Sequence, residues 1–467
     1  MTSRVPPIPS SGRCPYTLPL DAATFECALN VGHGRAWQHI LGHGSAGVVD
    51  LLIHGCLHTL AYDAQCEGDR GQWMLALVDA CEGSEAIFER VTRSVHESTV
   101  HQSWDVSQRC TLMAELARRG STDARSALYR LFVAHQTTQH QQGVLEILRL
   151  DGVAGLITVC STLGNTAHQD STDYIDDYFL SAYSETDGEG EALTALESSN
   201  DVGVQHFLER RRGAKRPVPD PQIEKGSPRV ATRNVSHRLP NDIRCLSAED
   251  VINWARTTPV PARPSAGWFW LTQWGRKATD SEVEAVCEAL EVAEQPTELL
   301  RLLRVFSRRK LPHVSDRTVE LANHPDSTVR SRAYSALSNV SDARVRDIGL
   351  SAIGSGGMAN GALELLKSSY LPGDHTVIRA ALFLAEDVDD LHGLVSGLVD
   401  LCSCAREPDT IDLMMFVYEY SPCGICRARV VDTMRDLKIL PDWVAVECQF
   451  DAMESLREDF VGLTQPS

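Results

Sequence analysis

Apolar side chains recur at every third or fourth position along most of the chain, which is the spacing of one face of an α-helix. Runs such as residues 73–78 and 128–133 are apolar enough to form inner helices, and the connections are short and carry Gly, Ser or Asp. No strand-like alternation of apolar and polar residues competes with this pattern. The chain is therefore predicted to be all-α.

Residues 324–353 contain the clearest internal repeat. An offset of sixteen aligns Asp326 with Asp342, Val329 with Val345, Arg330 with Arg346 and Ala336 with Ala352. In each segment the Asp can cap the first turn of a helix by accepting hydrogen bonds from backbone N–H groups that have no partner there. Small residues on the shared apolar stripe would let neighbouring helices approach closely.

This Asp-x-x-Val-Arg-x-x-Ala-x-x-Ala-Leu pattern resembles the HEAT-repeat family of α-solenoids. Residues 421–459, which begin Ser-Pro-Cys-Gly-Ile-Cys, also look like the C-terminal repeats of bacterial HEAT-repeat proteins. The resemblance implies an α-solenoid of antiparallel helix pairs. It also implies a structural ladder in which the Arg of one repeat pairs with an Asp of an adjacent repeat, here Asp326, Arg330, Asp342 and Arg346.

Composition divides the chain into two halves joined by a linker rich in Pro and charge. The expected divisions are a flexible arm at 1–20, an N-terminal helical-repeat half at 21–212, a linker or long loop at 213–245, a C-terminal HEAT-like half at 246–460 and a tail at 461–467. Residues 151–200 form an acidic segment without Lys or Arg, and a basic run follows at 210–216. Both charge runs are expected to be solvated, and the alternative is that they pair with each other or with a complementary patch of a partner.

The formal charge is −19, from 63 acidic and 44 basic residues. A surplus of this size repels phosphate backbones and anionic membranes at long range, so nucleic acid is an unlikely partner and no membrane is expected. The first twenty residues lack the apolar run of a signal peptide, and no segment has the roughly 18 apolar residues of a membrane span. We expect a bacterial, cytoplasmic protein with reduced thiols.

Four of the eight Trp residues lie between Trp254 and Trp274. Such a cluster is more often a local core than an exposed platform, although an exposed version would attract a partner. The basic helix face of note begins at Arg301. The residues that could bind a partner are therefore Arg301, Arg304, Arg308, Arg309, Trp268 and Trp270.

The C-terminal cysteines form the strongest local candidate for a metal site. Cys402 and Cys404 precede the Cys-x-x-Cys pair Cys423 and Cys426, and structural zinc needs four such ligands. Cys-x-Cys is not the usual first half of a zinc motif, so we expect buried structural thiols, with metal binding and redox chemistry as alternatives.

His54 and His58 share a helix face and could chelate an ion, but no His-Glu-x-x-His motif is present. Core or hydrogen-bonded histidines are the expectation. The polar stretch 63–70 is expected to cap the next helix and tie two repeats together.

Phosphate-binding loops and nucleophile elbows are missing from the sequence, so no catalytic residue and no cofactor are predicted. The leading hypothesis is a non-catalytic scaffold whose repeats bind a protein partner, basic or mixed in charge. The alternatives are a nucleic-acid protein similar to the HEAT-like alkylpurine DNA glycosylases, and an enzyme, either metal-dependent or similar to the HEAT-like phycobilin lyases.

Overall fold

A computed structural model describes residues 7–97, 103–135, 142–166, 179–180, 182–183, 189–214, 246–258, 268–356, 361–385 and 387–462. Every regular element within these ranges is helical, so the prediction of an all-α protein is confirmed. Almost all of the predicted linker, from residue 215 to 245, lies outside the described residues, as does much of the acidic segment.

The described residues fall into two compact units. The C-terminal unit takes its residues from Met1–Pro15 and Val230–Ala445, and the N-terminal unit takes its residues from Tyr16–Arg229 and Val446–Gln465. The sequence predicts one C-terminal half at residues 246–460, whereas the structure groups residues 446–460 with the N-terminal unit.

Eleven helices are described between residues 16 and 214. They are α1 (Ala22–Val31), α2 (Arg35–His43), α3 (Val49–Leu57), α4 (Ala64–Glu67), α5 (Gly71–Asp79), α6 (Ser84–Glu97), α7 (Ser103–Arg118), α8 (Thr122–Ala134), α9 (Val144–Thr166), α10 (Glu189–Glu197) and α11 (Val202–Ala214). Helix α3 packs on α5, α5 on α7, α7 on α9 and α9 on α11, so every second helix continues one row. Helices α9 and α11 approach closely at Gly164, which has no side chain. A Cβ there would lie 1.9 Å from the carbonyl oxygen of Gly203.

Thirteen helices are described from residue 246 onward. They are α12 (Ala248–Thr257), α13 (Phe269–Lys277), α14 (Asp280–Val292), α15 (Pro296–Val305), α16 (Asp316–Leu321), α17 (Ser327–Leu337), α18 (Ala343–Gly354), α19 (His375–Ala380), α20 (Val388–Ala405), α21 (Ile411–Tyr420), α22 (Gly424–Asp436), α23 (Asp442–Cys448) and α24 (Glu454–Asp459). Here too a row continues through alternate elements, from α13 to α15, α17, the 3₁₀ turn Ala362–Leu366, α20 and α22.

Helix starts follow the caps that the sequence contains. Asp326 accepts hydrogen bonds from the backbone N–H groups of Thr328 and Val329 at the start of α17. Ser247 and Asp250 form a reciprocal capping box at the start of α12. The side chains therefore satisfy N–H groups that a helix leaves unpaired in its first turn.

The last helices of the chain differ from the sequence pattern, which favours one helix from 443 to 458. The structure breaks it between α23 and α24. At the break, the backbone N–H of Ala452 donates to the carbonyl of Gly32 at 2.8 Å. Gly34 must lack a side chain there because a Cβ would lie 2.0 Å from the carbonyl oxygen of Glu447.

A buried ion pair joins this C-terminal segment to α2 within the N-terminal unit. The Arg35 Nε donates to Glu447 Oε1 at 2.7 Å, and both side chains are buried. The Trp73 indole N–H donates to the Phe450 carbonyl at 2.8 Å. This segment thus packs against the N-terminal unit and buries Cys448, Leu456 and Phe460.

The expected flexible arm at 1–20 also needs correction at its end. Leu20 is buried, and its backbone N–H donates to His39 Nδ1 at 2.9 Å. The Arg35 guanidinium lies over the Tyr16 ring, 4.5 Å from its centroid. Residues 16–20 therefore pack against the first helices of the N-terminal unit.

Replacing Glu447 with Gln should destabilise the N-terminal unit by about 3–5 kcal/mol, because it leaves the buried Arg35 charge without its carboxylate. Urea unfolding followed by circular dichroism would measure the change. The matched control is Glu454→Gln, an exposed site on the same segment. Equal unfolding midpoints for the two variants would show that the buried pair contributes nothing.

Stability of the N-terminal unit should also depend on the protonation of His39. Its Nδ1 accepts the Leu20 hydrogen bond, and burial, together with the nearby His43, lowers the pKa of His39 below its ordinary value of 6.5. As the pH falls, His39 is protonated in the unfolded chain before it is protonated in the folded protein. Neutral His39 therefore contributes its full stabilisation above pH 6.5, and this stabilisation is lost as the pH drops towards the lowered pKa of the folded protein.

His39→Asn keeps a hydrogen-bond acceptor but cannot titrate, so its melting temperature should vary less with pH across this window. His206→Asn, at an exposed site of the same unit, should behave as wild type. A His39 variant with the wild-type pH dependence would contradict the assignment.

Candidate functional site

The four candidate metal-binding cysteines do not form one cluster. Cys402 is fully buried in α20, and burial raises the pKa of its thiol to about 12. Cys404 is exposed on the same helix. Cys423 and Cys426 form a separate group with His392, a residue that the sequence analysis did not include.

The group His392, Cys423 and Cys426 lies where α20 packs on α22. The three possible ligand atoms all lie within 4.8 Å of one another, and Cys426 Sγ is 3.6 Å from His392 Nε2. Both thiols are buried, and the imidazole is half-buried. Two soft sulfur donors and one imidazole nitrogen therefore converge from two helices.

The turn before α22 determines where the two thiols lie. Ser421 is buried, and its hydroxyl accepts a hydrogen bond from the backbone N–H of Cys423 at 3.1 Å and donates to the carbonyl of the same residue at 2.9 Å. Cys423 is the N-cap residue of α22. Cys426 follows three residues later, so both side chains lie on one side of the helix start.

The groups around Cys426 shift the pKa of its thiol in opposite directions. A hydrogen bond with Cys423 and burial raise the pKa of Cys426, and Asp400 adds to this while Arg429 opposes it. Burial would also raise the pKa of Asp400, but hydrogen bonds from Lys367 and Arg429 outweigh it and lower that pKa. The Cys423 hydrogen bond and burial therefore favour the protonated form of Cys426.

A second group of possible ligands consists of Cys287, Glu291 and His313. Burial, followed by nearby carboxylates, raises the pKa of Cys287 to about 11. The Ser315 hydroxyl donates to Glu291 at 2.5 Å, and His313 is exposed and lies 3.4 Å from Glu284. These partners already occupy two of the three side chains, so the group is the weaker candidate.

The expectation of hydrogen-bonded histidines is confirmed for His58. Its Nδ1 lies 2.9 Å from Asp105 Oδ2, and the other oxygen of Asp105 accepts the backbone N–H of Thr59. The rings of His54 and His58 are 4.7 Å apart. His58 therefore joins α3 to α7.

The polar stretch 63–70 caps and ties helices, as expected. Asp63 caps α4 by accepting the backbone N–H of Gln65 at 3.1 Å. Arg70 is buried and donates to the carbonyls of Leu29, Asn30 and Val31 at the end of α1. This single guanidinium satisfies three carbonyls at the end of that helix.

Two of the six residues of the expected partner-binding face, Arg301 and Trp270, are buried. Arg301 is 1% exposed, and its guanidinium lies 4.9 Å from the Trp254 ring centroid and 5.1 Å from that of Trp268. It donates to the carbonyls of Ala255 and Thr258. Trp270 is also buried, which confirms the interpretation of this aromatic cluster as a local core. The placement of Arg301 and Trp270 in a partner-binding surface was wrong.

The remaining arginines of that face have different environments. Arg304 is half-buried, and burial, together with the neighbouring Arg332, lowers its pKa. Arg309 pairs with Asp280 at 2.5 Å. Arg308 is exposed.

The ladder residues have other partners than the expected ones. Asp326 and Asp342 cap α17 and α18, and Arg330 donates to the carbonyl of His324 at 2.8 Å. Arg346 instead holds the buried Asp374, 28 residues further along, with Nε 2.9 Å from Oδ2. The link between neighbouring segments exists, but its carboxylate is not in the repeated motif.

The basic run and the acidic segment are linked by an ion pair within the part of the chain that the structure describes. Arg212 lies 3.2 Å from Glu197, and both side chains are exposed. An exposed pair of this kind contributes about 0–1 kcal/mol, so it is consistent with solvated charge runs.

No family model, characterised protein or solved structure matches this chain. Within the described residues, every helix is too short or too polar to cross a bilayer.

Replacing Arg346 with Ala should lower the stability of the C-terminal unit by roughly 1–3 kcal/mol, because the buried Asp374 loses its charged donor. Thermal unfolding would measure the change. Arg435→Ala removes an exposed pair with Asp432 on the same unit and should cost less than about 1 kcal/mol. Equal melting temperatures for the Arg346 variant and the control would show that the hydrogen bonds between Arg346 and Asp374 do not stabilise this unit.

Proposed function

We propose that the chain is a non-catalytic scaffold of HEAT-like repeats that binds a basic segment of a protein partner in a cleft of its N-terminal unit. The observation that carries the proposal is the cleft itself. It has a volume of about 800 Å³ and is bounded by α6, the ends of α5 and α7 and the start of α8.

The pattern of contacts supports the solenoid part of the proposal. In each unit alternate helices pack on one another in a row, as stacked helix pairs would. Polar links recur at a similar separation along the C-terminal unit. Arg344 reaches Asp316 across 28 residues, Arg406 reaches Asp436 across 30, and Lys367 reaches Asp400 across 33.

One wall of the cleft is pre-organised by an ion pair. Arg119 donates through both terminal nitrogens to Asp79, at 2.6 and 2.9 Å, and its guanidinium lies over the Phe88 ring. Because this pair is bidentate, it fixes the geometry of the wall as well as neutralising Asp79. The apolar ring beside it offers a surface for the stem of a long side chain.

Exposed acidic groups line the cleft beside the Phe88 ring. Glu85 and Glu89 are exposed, lie four residues apart and face the cleft from α6, and Asp123 lines it from α8. Arg93 and Arg119 are the arginines among the residues that line the cleft. With a formal charge of −19 over the chain, a basic segment would be attracted both at long range and in the cleft.

The test compares the full-length chain with two double variants of equal charge change. Glu85→Gln/Glu89→Gln removes two of the acidic groups that line the cleft, whereas Glu26→Gln/Glu209→Gln removes two exposed carboxylates elsewhere in the same unit. Each protein would be immobilised on a resin and incubated with a lysate of the native cell at moderate salt. Proteins captured in stoichiometric amounts would be identified by mass spectrometry, purified and tested for binding to each of the three proteins.

The proposal expects a partner that binds wild type and the control alike, with affinity lowered at least about tenfold by the cleft variant and weakened by added salt. A partner that binds all three proteins equally would exclude the cleft. Turnover of a small molecule by the purified chain would contradict a non-catalytic role.

A further inference from the structure

We propose that His392, Cys423 and Cys426 form a zinc(II) site in the C-terminal unit, with three protein ligands and one coordination position open to water or an outside ligand. This inference is independent of the cleft, which belongs to the other unit. It concerns residues that no step of the scaffold proposal uses.

The donor types suit zinc. Thiolate and imidazole are the ligands that zinc(II) takes most often in proteins, and two Cys with one His is a known three-ligand set that leaves a fourth position free. Calcium and magnesium prefer oxygen donors and would not select this group. Within the described part of the chain, no fourth His, Cys, Asp or Glu joins the three.

The distances suit a tetrahedral ion. Zinc bonds of about 2.3 Å to sulfur and about 2.0–2.1 Å to nitrogen, at a tetrahedral angle, place a sulfur and a nitrogen ligand about 3.6 Å apart. Cys426 Sγ and His392 Nε2 are separated by 3.6 Å. All three donor atoms lie within 4.8 Å of one another, so small side-chain rotations suffice to bring them around one ion.

The surrounding structure holds the donors in place without metal. The Ser421 hydroxyl bonds to both backbone groups of Cys423 and fixes the turn that precedes α22. The start of α22 carries a partial positive charge, which stabilises thiolates. Zinc would displace the thiol protons, which pass to solvent, and the two thiolates would balance the charge of the ion.

The chain also contains matched controls. Cys404 is an exposed thiol two residues after Cys402 on α20, and Cys287 belongs to the second, weaker group. Neither should contribute to the proposed site. Substitutions at these positions therefore test whether a metal is bound by this group or by cysteines in general.

The experiment uses the full chain, reduced and stripped with a chelator, and titrates it with zinc(II) and with cobalt(II) as a spectroscopic probe. We expect one ion per chain, with the sulfur-to-cobalt charge-transfer band and the d–d bands of a tetrahedral site. Cys423→Ser, Cys426→Ser and His392→Asn should each lower the affinity by on the order of 100-fold or more, since each removes a direct ligand. Cys404→Ser and Cys287→Ser should bind as wild type.

Alkylation of the wild-type chain provides a readout that needs no variant to fold. Bound zinc should slow modification of Cys423 and Cys426 at least about tenfold and leave Cys404 unaffected. His392→Asn alters a half-buried residue and would be checked for wild-type circular dichroism.

Three results would overturn the proposal. One is a reduced wild-type chain that takes up less than one ion, and another is uptake that is lost in Cys287→Ser but kept in the Cys423 and Cys426 variants. The third is a chain that binds no zinc but forms a Cys423–Cys426 disulfide, with loss of two hydrogens, when a mild thiol oxidant is added. That outcome would identify the pair as a redox dithiol instead.

Discussion

The constraint on which this structure depends is the need of buried helix ends for hydrogen-bond donors, because the last carbonyls of a helix have no partner within it. Side chains of later helices supply them. Arg70 donates to three carbonyls that end α1, Gln108 and Arg109 to those that end α3, and Arg301 to Ala255 and Thr258 at the end of α12. The donors lie between 39 and 53 residues further along the chain. Each such side chain therefore joins a helix to one in a later pair, and arginine suits the task because its five N–H groups reach several carbonyls at once.

Because these arginine contacts join distant parts of the chain, the sequence predicts local features better than the environments of such side chains. Helix type and many helix starts follow from apolar spacing and caps such as Asp326, which act within one turn. The environment of Arg301 does not, because its neighbours Arg304 and Arg308 make the same stretch look like a solvated basic face. Only the packing of α12 on α15 reveals that Arg301 points at carbonyl groups. His392 was missed for the same reason, since it meets Cys426 across 34 residues and no local motif connects them.

Longer separations were beyond any local signal. Arg35 and Glu447 are 412 residues apart, and Trp73 and Phe450 are 377 apart. The sequence around Glu447 reads as one continuous helix, yet the chain breaks that helix so that Ala452 can bond to Gly32. The stability of the N-terminal unit thus rests partly on the last residues of the chain, which composition alone assigns to the other half.

Helices α20 and α22 are joined at two levels by different chemistry. Asp400 accepts a hydrogen bond from Arg429 at 2.9 Å, and two turns earlier on α20 His392 lies beside Cys426. An exposed ion pair contributes about 0–1 kcal/mol, whereas a zinc ion bound by His392, Cys423 and Cys426 would stabilise the folded unit according to its concentration and affinity. In a row of helices where each contacts mainly its neighbours, such an ion would stabilise this junction and leave the acidic cleft of the other unit unchanged. The proposed metal site and the proposed partner cleft can therefore be tested independently of each other.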